Sequence, residues 1–218
     1  MQEFFMPSDS EIETEQLQAA TRKLIGFIKR EKIGFIILEG RSARPIADLL
    51  KPAWANLNPG KPLPRMFAIG NRVKKFAGMD LDYSPTDYLT DKRLRTFDYS
   101  GLEKELSIAM PSLMQSKGQK VLLLTEWTDS GMSISCVKKI FEQIGFAKLS
   151  LGALLASASY TNKTREAKLD FLGATRLGSP SLYGKRRTAN RALHRRLRLQ
   201  MRKIGSSVRK PVKARRRR

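Results

Sequence analysis

The segment richest in chemistry reads Val121-Leu122-Leu123-Leu124-Thr125-Glu126-Trp127-Thr128-Asp129-Ser130-Gly131-Met132-Ser133. Its apolar start predicts a buried strand, and Val137, Ile140, Phe141 and Ile144 predict a following helix that Gly145 ends. Between them, Gly131 permits close backbone approach, and Ser130 and Ser133 offer hydroxyls. The start of the helix adds N–H donors, so the combination can cradle a phosphate. An ordinary N-capped helix would use the same residue types. A second loop, Glu39-Gly40-Arg41-Ser42-Ala43-Arg44, precedes Pro45. Gly40 allows an unusual backbone and two arginines supply forked donors, which suits a diphosphate. A solvated basic turn is the alternative for that loop.

Both loops need strands to hold them. Ser10 and Glu13 have capping-box spacing, and Leu17, Ala20, Leu24 and Ile28 recur at helical spacing, predicting a first helix over about 10–31. Phe35-Ile36-Ile37-Leu38 is a short, β-branched-rich run that suits a buried strand. Pro45 opens a second helix, which Asn58-Pro59-Gly60 stops. Met66-Phe67-Ala68-Ile69 and Leu149–Leu155 are further strands, and Leu102, Leu106, Ala109, Met110 and Leu113 mark one more helix. Residues 71–100, with Lys74, Lys75, Tyr83, Tyr88 and Tyr99, have no dominant period and suit either a cover over the site or a hairpin. The alternation of strand and helix predicts an α/β fold: a mainly parallel sheet flanked by helices, with an N-terminal helix and a basic helical C-terminal extension. Both loops then fall at strand carboxyl ends, where ligands gather in such sheets.

The 121–133 segment resembles the signature of the type I phosphoribosyltransferases: an apolar strand, two acidic residues, then a loop of the form D/A-T-G-x-T/S. Asp129-Ser130-Gly131-Met132-Ser133 matches the loop with serine at both threonine positions, and Glu126 falls on the second acidic position. Thr125 stands where the first carboxylate belongs. The resemblance covers about residues 34–159 and implies a phosphoribosyl pyrophosphate (PRPP) site. Residues 129–133 would hold the 5′-phosphate, Thr125 and Glu126 the ribose, and Gly40, Arg41, Ser42, Ala43 and Arg44 the pyrophosphate. Asp129 and Glu126 would be the catalytic residues, Asp129 moving a proton near the base. Mg2+ is the implied cofactor, with Glu126 acting on it indirectly. Asp170-Phe171-Leu172-Gly173 echoes a hood segment of the hypoxanthine-guanine class, which would make Phe171 a base-binding ring and favour a purine; a core phenylalanine is the other reading. The implied function is transfer of phosphoribose to a nucleobase, and the alternative is a non-catalytic nucleotide-sensing regulator.

Charge is unevenly placed. The 218 residues carry 42 Lys and Arg against 20 Asp and Glu, a net +22, and no acidic residue follows Asp170. Ala189, Leu193, Leu197, Met201 and Ile204 form one stripe among arginines, predicting a basic amphipathic helix that docks on the domain, lies on an anionic membrane, or binds nucleic acid. Gly205-Ser206-Ser207 then leads into a disordered arm ending in four arginines. We expect Lys185, Arg186, Arg187, Arg191, Arg195 and Arg198 to contact nucleic-acid phosphates, RNA rather than DNA. The expected division is 1–33 (leader and helix), 34–182 (phosphoribosyltransferase-like domain) and 183–218 (basic helix and tail). Hydrophobic residues make up 41% of the chain, enough for a core. One cysteine, Cys136, excludes an intramolecular disulfide, and one histidine, His194, excludes a multi-histidine zinc site. No apolar run reaches the roughly 18 residues of a membrane span, and the acidic N-terminus does not read as a secretory signal. The expected setting is cytoplasmic, with a homodimer left open.

Overall fold

The computed structural model describes residues 11–39, 43–70, 73, 76, 94–128, 131–157, 168–176 and 191–209. The first helix, α1, spans Glu11–Arg30 and leads into β1 (Phe35–Glu39). Next come α2 (Arg44–Leu57) and β2 (Arg65–Gly70). Two short helices follow, α3 (Tyr99–Ala109) and α4 (Pro111–Met114). The sequence reads as one helix through Leu113, but Pro111 lacks the N–H that would continue α3, and the chain restarts there as α4. Then β3 (Val121–Thr128), α5 (Met132–Gln143), β4 (Leu149–Ser157), β5 (Phe171–Arg176) and α6 (Arg191–Ser207) complete the order.

The five strands form one parallel sheet in the order β2-β1-β3-β4-β5. Parallel strands covered on both faces read as continuous apolar runs rather than alternating ones. Val121 through Glu126 are accordingly all buried. Alternation still sorts the side chains. Ile36, Leu38, Leu122 and Leu124 share one cluster with α1, α2 and α6, whereas Phe35, Ile37, Val121 and Leu123 share another with α3, α4 and α5.

Chain order and strand order diverge at one place. From β1 the chain crosses through α2 to β2 on one side; from β3 it crosses through α5 to β4 on the other. The helices α2 and α5 lie on opposite faces of the sheet. The boundary between β1 and β3 is therefore the topological switch point, the place where ligands gather in open α/β sheets.

The terminal helices belong to the same core as the sheet. Leu17, Leu24 and Ile28 of α1 pack with Leu197, Met201 and Ile204 of α6, together with Leu49, Leu50 and Ala53 of α2. The expected divisions after residues 33 and 182 thus separate no independent core. Gly205–Ser207 is the last turn of α6, not the start of an arm, and Asn56 Nδ2 donates to Ser206 O at 2.7 Å. Residues 210–218 and 183–190 lie outside the described residues.

One ion cluster fixes α6 on α2. Asp48 Oδ2 accepts from Arg198 Nε at 2.6 Å and Oδ1 from Arg202 Nε at 2.8 Å. The Asp48 side chain is 8% exposed, while both arginines remain more than half exposed. Burial pushes the Asp48 carboxyl up, but the hydrogen bonds and charges of Arg198 and Arg202 outweigh it and hold it below the usual aspartate range. Its stabilising contribution is therefore full above the ordinary pKa of about 3.9 and is lost as pH falls through the lower folded-state value. Asp48→Ala is expected to cost about 2–3 kcal/mol at neutral pH, the range for charged hydrogen bonds lost from a buried group. The difference from wild type in urea unfolding should shrink below about pH 4. A difference independent of pH would show that charge is not the cause.

Candidate functional site

At the switch point the last residues of β1 and β3 stand side by side. The parallel register pairs Leu38 with Leu124, which brings Glu39 and Thr125 to the same sheet edge. Between Leu38 and Glu39 the pairing with β2 slips, so Glu39 aligns with Gly70 rather than Ile69. Thr125 Oγ1 donates to Glu39 Oε2 at 3.2 Å and lies 3.3 Å from Trp127 O. Thr125 is buried at 5% exposure and Glu126 is fully buried, whereas Glu39 is half-buried. A half-buried carboxylate and a fully buried one thus sit on neighbouring strands at the carboxyl end of the sheet.

The turn from β3 into α5 is built around Gly131. Its φ of 76° and ψ of −5° place it in the left-handed region, where a Cβ costs roughly 1–2 kcal/mol. It caps α5, and its N–H donates to Thr128 Oγ1 at 2.8 Å. Ser135 N donates to the Gly131 carbonyl at 3.0 Å, closing the first helical turn. The opening N–H groups of α5 have no intrahelical acceptors, which is the ordinary condition of a helix start. An αL glycine before a helix N-terminus at a strand's carboxyl end is the backbone arrangement expected of a phosphate loop.

The sequence-derived site residues fall as follows. Thr125, Glu126 and Gly131 lie at this edge; Met132 and Ser133 open α5. The side chains of Met132 and Ser133, and all of Asp129 and Ser130, lie outside the described residues. So do Gly40, Arg41 and Ser42, which leave Ala43 and Arg44 of the second loop in view. Ala43 is buried and caps α2 with its carbonyl, 3.0 Å from Ile46 N; Arg44 is exposed at the first position of that helix.

Phe171 requires correction. Its ring is 5% exposed and packs, tilted by 44°, at 5.4 Å from the Phe27 ring of α1 inside the core cluster, so it is not placed to stack on a base. The surrounding 171–176 segment is β5, hydrogen-bonded to β4, and Gly173 lets that strand pass close under α1. Among the residues assigned to nucleic acid, Lys185, Arg186 and Arg187 lie outside the described residues, and Arg191 begins α6. Arg195 and Arg198 are exposed, and Arg198 is bonded to Asp48. The latter contact serves docking of the helix.

Two contributors were not legible as site residues. Thr128 precedes Gly131 by three positions, a spacing that could have marked it as the hydroxyl turning the loop. Glu39 gave no signal by itself, because only the adjacency of β1 and β3 brings it to Thr125.

No protein-family model and no curated protein matches the sequence. The structure is similar to solved purine phosphoribosyltransferases. One, from Pyrococcus horikoshii Ot3, is 14% identical with a TM-score of 0.42, covering 74% of this chain and 84% of that one. A hypoxanthine phosphoribosyltransferase variant from Trypanosoma cruzi, complexed with the product IMP, is 13% identical at a TM-score of 0.48, covering 82% and 80%. The hypoxanthine phosphoribosyltransferase of Staphylococcus aureus is 10% identical at 0.47, covering 88% and 89%. No helix among the described residues is long and apolar enough to cross a membrane.

Proposed function

We propose that the β1/β3 edge binds phosphoribosyl pyrophosphate and that the chain transfers the phosphoribosyl group to a nucleobase. The observation that carries this reading is the switch point itself. The loops after Glu39 and Thr128 leave adjacent parallel strands at one sheet edge and enter helices on opposite faces. Two loops at neighbouring strand ends, each leading into a helix on a different face, suit a ligand with a phosphate at each end. In this reading the 5′-phosphate sits at the Gly131 turn and the start of α5, and the pyrophosphate at residues 40–44 and the start of α2.

Magnesium is the ion that this reading implies. The ion is usually held by one or two carboxylates, with waters and substrate phosphates completing its shell. No cluster of three or more metal-ligating side chains occurs among the described residues, so waters and the ligand's own phosphates would supply most of its shell, with Glu126 acting only indirectly. Bound with the diphosphate, Mg2+ would offset its charge as it departs. Asp129 is assigned the proton transfer at the base. Since Phe171 is core, the base contact is not assigned to it, and purine preference rests on the sequence echo alone.

Calorimetric titration with PRPP tests the reading. Binding that requires Mg2+, and that weakens at least tenfold in Arg41→Ala/Arg44→Ala, is the expected result. Folded wild-type protein that takes up no PRPP would sink it.

A further inference from the structure

We infer that Glu39, and not Glu126, is the carboxylate that meets the ligand, accepting hydrogen bonds from its vicinal hydroxyls. This rests on the PRPP reading above and assigns its ribose contact. A diol in water is held well by a carboxylate, whose two oxygens accept from two adjacent hydroxyls, provided that the carboxylate reaches solvent.

Burial decides between the two candidates. Glu126 is fully buried, so a ligand entering from solvent meets Glu39 first. Glu39 is the last residue of β1, half-buried, at the same sheet edge. The pairing slip before it changes its alignment relative to the rest of β1. Thr125 then has a definite role. Its hydroxyl donates to Glu39 Oε2 at 3.2 Å, which fixes the carboxylate's orientation from the strand where a second acidic side chain would otherwise stand. An acidic side chain at 125 would face Glu39 across this contact and repel it, so the threonine and the glutamate suit one another. Glu39 would therefore bind the hydroxyls, and Thr125 would position Glu39.

Two ligands separate this from a structural role. PRPP carries the diol; magnesium pyrophosphate carries only the charged end. Glu39→Gln is nearly isosteric and should weaken PRPP binding at least tenfold while leaving magnesium pyrophosphate binding and the melting temperature within error of wild type. Thr125→Val, which keeps the shape and removes the donor, should weaken PRPP binding by a smaller factor, about threefold, with pyrophosphate again unaffected. Equal PRPP affinity in Glu39→Gln and wild type would overturn the assignment while leaving the PRPP site standing. Parallel loss of both ligands in Glu39→Gln would also overturn it, since Glu39 would then act on the loop or the metal and not on the diol. Wild-type protein that binds pyrophosphate but not PRPP would remove the underlying reading and this assignment together.

Discussion

Gly205→Val should lower the melting temperature by roughly 6–12 °C, the shift that about 3 kcal/mol produces in a chain of this size. The reason is backbone, not side chain. A Cβ at position 205 would lie 2.2 Å from Leu49 O and 2.7 Å from Pro52 Cγ, so α6 passes against α2 at a distance only glycine allows. The Leu49 carbonyl belongs to a helix and cannot swing aside, so the two helices must separate. Separation exposes the apolar stripe of Leu197, Met201, Ile204 and Val208, each 5% exposed or less. It also stretches the bonds from Arg198 and Arg202 to Asp48. Thermal melting by circular dichroism reads the stability, and trypsin cutting within α6 reads the local opening. An unchanged melting temperature would mean that the helices do not pack through Gly205. The consequence could reach the site, because α2 begins at Arg44 beside the second loop.

The same glycine marks a contact that local sequence does not specify. The stripe of Leu197, Met201 and Ile204 is visible at helical spacing, and with it the existence of a basic amphipathic helix. What the stripe faces is not visible, since its partners on α2 are about 150 positions away in the chain. Gly205-Ser206-Ser207 has the composition of a linker, and only the opposing α2 backbone reveals it as a contact. β5 carries little local signal for a related reason. Phe171-Leu172-Gly173-Ala174-Thr175-Arg176 has little alternation, and its strand character comes from pairing with Gly152–Ser157 of β4. Conversely, Phe35–Leu38 and Val121–Leu124 were legible because strands buried on both faces must be apolar throughout. The second half of β3, Thr125 to Thr128, continues the ladder to Ala156; Thr and Trp favour strands, but the run lacks the apolar continuity of residues 121–124.

The site divides along the same line. Local chemistry, the glycine and hydroxyls after β3, could be read in sequence, as could the basic loop after β1. Their placement on adjacent strands needed the sheet order, and the switch point explains why these two loops and no others are candidates. β4 and β5 lie beyond β3, farther from the switch point. Glu39 and Thr125 are the clearest case: they lie 86 positions apart, and nothing in the sequence pairs them.

Gly131→Val is the substitution expected to strike the site hardest. At φ 76° a β-branched residue is a genuine outlier, and the strain should cost about 2 kcal/mol in urea unfolding. Relief would come by rotating the turn, which breaks the Gly131 N–H bond to Thr128 Oγ1 and tilts the first turn of α5 away from the switch point. PRPP affinity should fall at least tenfold. Strain and obstruction can be told apart with Gly131→Asn, because asparagine tolerates the left-handed region better than other residues with a side chain. That variant should melt close to wild type and still bind PRPP poorly, since its side chain would stand where the backbone must approach a phosphate. Near-normal binding by Gly131→Asn would mean that the turn needs the glycine for its φ alone. Full binding by Gly131→Val would move the phosphate away from this loop altogether, leaving the start of α2 to be examined in its place.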